Sequence, residues 1–204
     1  MKKNRKKFNL HDLAGQVEKM SRPEQESSAG GDYYYNEQGM FLGQRGTGSQ
    51  LKVIADNDFL IGQCAGEEYL NRNGAYDFSQ ASMSGQMRIV SAIAGQPCEV
   101  YYNSSDYNES GHTVTTRNGS NVTSYIGINL YGTAVRSGNY WDFVITLRHE
   151  QAHYRYNELN LTNTAMAEYQ ATWVSYNDPD KYRCSPELQQ TINGNWEYLK
   201  SLYG

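Results

Sequence analysis

The hydrophobic pattern of this chain changes period once, and that change bounds the fold. In Val122-Thr-Ser-Tyr-Ile-Gly-Ile-Asn-Leu-Tyr131, Ile126, Ile128 and Leu130 fall on one side and Tyr125, Asn129 and Tyr131 on the other. That is the period of a half-buried strand. Three segments of helical period follow, over about 140–157, 163–177 and 186–202. Asn139 is placed to cap the first, and Asp142 adds negative charge to its first turn. Asp178-Pro179 stops the second. Leu188, Ile192, Trp196 and Tyr203 give the third an apolar face. The pattern predicts an α+β domain, a small mixed β-sheet followed by a bundle of C-terminal helices.

Upstream, Asp32-Tyr-Tyr-Tyr-Asn-Glu-Gln-Gly-Met-Phe-Leu-Gly43 reads as strand, turn, strand, with Asn36 to Gly39 as the turn. Leu51 to Ala55, Val100 to Tyr102 and Thr113 to Thr116 are further strand candidates. Residues 80–95 read as a helix with Met83, Met87, Val90 and Ile93 on its core stripe. Residues 1–31 are a basic tail and linker: Lys2, Lys3, Arg5, Lys6 and Lys7, a short amphipathic stretch from Leu10 to Met20, then Ser, Pro and Gly. The domain is expected to span 32–204.

Leu, Ile, Val and Phe make up only 35 of 204 residues, but 18 tyrosines and 13 alanines supply core material. A net charge of −4 and a pI of 5.6 argue against general nucleic-acid binding. No transmembrane segment is expected. The basic start lacks the apolar run of a secretory signal, which predicts a cytoplasmic protein or one exported by another route. Cys64, Cys98 and Cys184 form no CxxC pair and no even set, so no disulfide framework is expected.

Within the first long helix lies His149-Glu150-Gln-Ala-His153. One helical turn separates the imidazoles, which therefore point to one side. At that spacing both can close on one Zn²⁺ at about 2.0–2.1 Å. Glu150 is poorly placed as a ligand and well placed as general base. The two histidines share a face with Ile145, Ala152 and Tyr156, expected to point inward, whereas Arg148, Gln151 and Arg155 form the polar stripe. Two buried, adjacent histidines without a metal would need separate hydrogen-bond partners.

A third ligand follows from helix geometry. His153 lies four residues before the expected end of its helix, and Glu168 five residues after the expected start of the next. At a helical rise these distances are about 6 and 7.5 Å from the connection. Antiparallel packing across a short link brings Glu168 level with His153. Ala165, Ala167 and Ala171 are small enough to allow close approach.

His149-Glu150-x-x-His153 followed by a glutamate on the next helix resembles the zincin metallopeptidases, in their gluzincin arrangement. The short spacing to Glu168 is more similar to compact zincins and to metallopeptidase domains of bacterial toxins. Leu at position 159 departs from the three-histidine metzincin pattern. The resemblance implies a zinc-dependent metallopeptidase that binds a peptide or protein substrate along an edge strand, a part it assigns to Val122–Tyr131. It also implies an oxyanion donor, for which Tyr169, Tyr176, Tyr156 and His112 are candidates. Gln63-Cys64-Ala-Gly only faintly resembles the cysteine element of peptide deformylases. The tyrosine run after Asp32 resembles the junctions that precede toxin domains in Rhs-type proteins, which adds a delivered toxin to the alternatives. The other alternative is a non-catalytic zinc- or protein-binding module.

Overall fold

The structure, a computed structural model, describes residues 31–104, 109–118, 121–132, 136–158 and 164–204. The basic tail, with His11 and the linker through residue 30, lies outside the described residues, as does the link at 159–163. The fold is α+β, with two small mixed sheets and six α-helices among the described residues.

The first sheet holds β1 (Asp32–Tyr35), β2 (Phe41–Arg45), β3 (Leu51–Val53) and β4 (Tyr76–Asp77) in the order β2-β1-β3-β4. Strands β1 and β2 are the expected hairpin. Asn36 organises its turn: Oδ1 accepts from the backbone N–H groups of Gln38 at 3.0 Å and Met40 at 2.8 Å. Gly39 follows at φ +84°, where a Cβ would also lie 2.7 Å from the Arg88 carbonyl oxygen. The tyrosine run is part of the core, since Tyr33, Tyr34 and Tyr35 are all buried. Tyr33 stacks on Tyr140 with centroids 3.7 Å apart.

Helices α1 (Asp56–Ala65) and α2 (Glu67–Arg72) were not anticipated. Their apolar residues are bunched, not periodic: Phe59 is buried while Leu60 and Ile61 are exposed. A Cβ on Gly62 would lie 2.0 Å from Leu70, so the two helices meet over a glycine. Helix α3 (Met83–Ala94) begins on a Ser82 cap and ends on Gly95 in the left-handed region. Half of the expected stripe faces the core: Val90 is buried and Ile93 packs against that core. Met83 and Met87 are exposed, and Gln86, Ile89, Val90 and Ala94 face the core. The polar Gln86 is buried with its amide nitrogen donating to the Phe78 carbonyl at 3.1 Å, while its Oε1 has no hydrogen-bond partner among the described residues.

The second sheet holds β5 (Cys98–Tyr101), β6 (Gly111–Asn118) and β7 (Asn121–Asn129) in the order β5-β7-β6. The strand from Val122 is therefore the centre of the sheet, not its edge. It pairs in parallel with β5 and antiparallel with β6. The edge beside the following helix is β6.

Helices α4 (Tyr140–Glu158), α5 (Thr164–Tyr176) and α6 (Pro186–Tyr203) fall where the periodicity places them. Asn139 caps α4 by accepting from the Trp141 N–H at 2.8 Å. Asp142 is fully buried, and its carboxylate accepts from the Ser185 N–H and hydroxyl at 2.8 and 2.6 Å. The expected polar stripe of α4 is not solvated. Gln151 is buried and donates to the Ala94 carbonyl at 2.8 Å. Arg148 pairs with Asp178 and Asp180 beyond the end of α5. One core joins Leu51 and Val53 of the first sheet, Ile89 and Val90 of α3, Ile126 and Ile128 of β7, and Phe143 and Leu147 of α4. A smaller cluster of Ile145, Cys184, Leu188 and Ile192 fastens α6. The three cysteines are free. No described helix is long and apolar enough to cross a membrane.

Candidate metal centre

Contacts between α4 and α5 run in opposite order along the two helices. His153 meets Glu168, His149 meets Glu168 and Ser175, and Arg148 meets Asp178. Ala167 and Ala171 are buried in this interface. Their small side chains let the helices approach closely, as the sequence predicts.

His149, His153 and Glu168 are brought together. The two imidazole Nε2 atoms lie 3.1 Å apart. His153 Nε2 is 3.1 Å from Glu168 Oε2, and His149 Nε2 is 3.5 Å from Glu168 Oε1. Tetrahedral donors at about 2.0–2.1 Å from an ion are about 3.3–3.4 Å apart. The Nε2–Nε2 separation and the separations to the two different oxygens of Glu168 all lie near that value. This group could hold a metal ion. The imidazoles are mostly covered, whereas the Glu168 side chain is 44 % exposed and leaves the group open to solvent.

The charges reinforce one another. Hydrogen bonds from His149 and His153 hold the Glu168 carboxyl well below the usual carboxylate range. Burial alone would lower the pKa of His149. Its hydrogen bond to Glu168, the charges of Glu150 and Glu168, and a hydrogen bond to the Ala171 carbonyl outweigh burial and raise it. Burial pushes Glu150 up.

Glu150 points toward the sheet edge. Thr113 of β6 donates its hydroxyl to Glu150 Oε2 at 2.9 Å, and the same hydroxyl lies 2.8 Å from the Glu150 carbonyl oxygen. A Cβ on Gly111 would fall 3.0 Å from Glu150 Cγ, so a glycine makes room where strand meets helix. The buried carboxylate thus lies between the His149–His153–Glu168 group and β6, which pairs with β7 alone among the described residues.

Of the four residues offered as oxyanion donors, three have other partners. His112 alternates with Gly111 and Thr113 and faces the other side of β6. There its Nδ1 is 2.8 Å from the Tyr101 hydroxyl and 2.9 Å from Glu109. Tyr169 and Tyr176 face α6, stacked against Trp196 at centroid distances of 5.4 and 5.1 Å. Tyr156 is buried.

Three hydroxyls were missed. Thr113 holds Glu150, Thr172 donates to Glu168 Oε1 at 3.3 Å, and Ser175 lies 3.2 Å from His149 Nδ1. Thr172 and Ser175 stand four and seven residues after Glu168, on the same helical stripe. That spacing was the available signal. No family model matches this chain, nor does any curated protein or solved structure compared with it.

Proposed function

We propose that this protein is a zinc-dependent metallopeptidase with a zincin-like, gluzincin-type site. The observation that carries the reading is the His149–His153–Glu168 donor triangle beside the buried carboxylate of Glu150. His149, His153 and Glu168 would hold Zn²⁺, which when bound supplies Lewis acidity to a scissile carbonyl and acidifies the attacking water. Imidazole nitrogens with a carboxylate oxygen suit zinc, while hard cations prefer an all-oxygen set.

Glu150 is the general base. Its raised pKa brings it nearer neutrality, where a carboxylate both takes a proton from water and returns it to a leaving amine. Thr113 fixes one carboxylate oxygen and leaves the other to accept that proton. An extended peptide adds to the β6 edge by backbone hydrogen bonds, which demand little of its sequence. This moves the substrate strand from the stretch beginning at Val122 to Gly111–Asn118.

The test uses zinc-loaded wild type and Glu150→Gln on a diverse peptide mixture, with products read by mass spectrometry. Wild type is expected to cleave internal peptide bonds, and Glu150→Gln to keep its zinc and lose cleavage by about 10²–10⁴-fold. A zinc-loaded wild type that cuts nothing, or a variant that cuts equally well, refutes the proposal.

A further inference from the structure

We infer that Ser175 is a positioning residue that sets the tautomer of His149, keeping the ring proton on Nδ1 and the lone pair of Nε2 toward the donor triangle. The inference rests on the reading that the triangle receives a metal.

A neutral imidazole carries one N–H, and the nitrogen that ligates a metal must be the other one. His149 Nε2 faces His153 Nε2 at 3.1 Å and Glu168 Oε1 at 3.5 Å. Its Nδ1 faces the Ser175 hydroxyl at 3.2 Å. The two ends of the ring therefore compete for one proton. The Glu168 carboxylate draws it to Nε2, where it would block the metal position.

The Ser175 side decides the contest because its own proton is committed. Ser175 Oγ donates to the Ala171 carbonyl, one turn earlier on α5, at 3.3 Å. With its single proton placed there, the hydroxyl can only accept from His149. Ser175 is 3 % exposed and Ala171 fully buried, so solvent does not offer an alternative partner. The clasp is neutral: it orients the ring without adding charge to the site, unlike a carboxylate in the same place. It also explains why a serine occupies a buried helix position against alanine-sized neighbours.

The experiment combines two readouts on wild type, Ser175→Ala and Ser175→Thr. The first is the ¹⁵N shifts of the His149 ring in metal-free protein at alkaline pH, where the ring is neutral. The second is zinc affinity by competition with a chromogenic chelator, with the melting temperature of each metal-free variant as the control for folding. Wild type is expected to show the Nδ1–H form. Ser175→Ala should move population to the Nε2–H form and weaken zinc by about 10–100-fold, and Ser175→Thr should restore both. An Nε2–H ring in wild type overturns the inference. So does a folded Ser175→Ala with wild-type tautomer and zinc affinity. If Ser175→Ala fails to fold, the wild-type tautomer alone decides. Absence of zinc binding in wild type would instead strike the metal reading, and the ring shifts would still report on Ser175.

Discussion

Removing the Glu168 carboxylate separates a metal site from a coincidence of side chains. The structure brings two imidazole nitrogens 3.1 Å apart and within 3.1 and 3.5 Å of the two Glu168 oxygens, and Glu168 is the residue that does not come from the HExxH helix. Suppose free zinc is held at one hundred times the wild-type Kd. Binding then adds about 2.7 kcal/mol to the stability of the folded state. For a chain of this length that raises Tm by about 5–11 °C. Glu168→Ala leaves two imidazoles, and the loss of a ligand should exceed the roughly 10–100-fold effect of removing an outer-shell partner. Taking a hundredfold loss, the same zinc adds only about 0.4 kcal/mol, or about 1 °C. The assay is thermal unfolding with and without zinc, reversed by chelator, for wild type, Glu168→Ala and Glu150→Gln. Glu150 is not among the donors, so Glu150→Gln should follow wild type. A Glu168→Ala shift as large as that of wild type would refute the three-donor geometry. The absence of any shift in wild type would refute the metal site.

Thr113→Val removes the hydroxyl that donates to the Glu150 carboxylate. Losing a donor to the ionised form raises a carboxyl pKa, so the acidic limb of the kcat/KM profile for peptide cleavage should move to higher pH while zinc affinity stays unchanged. In metal-free protein, His149 is raised above its ordinary 6.5 and Glu168 is lowered below its ordinary 4.5. The histidine contribution is complete below the unfolded value and lost as pH rises through the folded one. The glutamate contribution is complete above its unfolded value and lost as pH falls through the folded one. The contribution of these two groups to metal-free stability should therefore peak between about pH 4.5 and 6.5. Zinc, which needs neutral imidazoles, should shift the optimum upward; melting curves across pH with and without zinc check both. Phe143 is fully buried and packs edge-on against Phe78 at 4.9 Å. Phe143→Ala should cost about 3–5 kcal/mol in urea unfolding, with zinc affinity little changed at temperatures where the variant is folded.

The helical half of the molecule was legible because its apolar positions recur at helical spacing and its stops are chemical: Asn139 at one start, Asp178-Pro179 at one end. The donor set was legible for the same reason, since rise per residue alone brings Glu168 level with His153. What was not legible depended on partners. The stretch Val122–Tyr131 alternates as a half-buried strand does, and only the family resemblance implied an edge; a strand's place in a sheet is set by its neighbours, and β5 and β6 flank it. In α3, Gln86 is polar yet buried, with its amide nitrogen donating to the Phe78 carbonyl. Reading that position as solvent-facing rotates the apparent core stripe onto Met83 and Met87. Helices α1 and α2 lack a periodic face, and Gly62 inside α1 has meaning only when Leu70 is seen against it. The hydroxyls of Thr113, Thr172 and Ser175 act through one or two hydrogen bonds each, which leave no pattern in sequence beyond the helical stripe that Thr172 and Ser175 share with Glu168.

The order of these parts along the chain bears on synthesis. Both sheets are complete by Asn129, before any of the three donors, and the donors themselves span only His149 to Glu168. Chains emerge from the N-terminal side at about 5–20 residues per second, so the interval between the first imidazole and the carboxylate is about 1–4 s. During that interval the two histidines stand without their acidic partner, and no full donor set exists to capture an ion. By the time Glu168 arrives, β6 and Glu150 have already been made. Ribosomal order thus places completion of the His149–His153–Glu168 group after that of the strand edge and of Glu150.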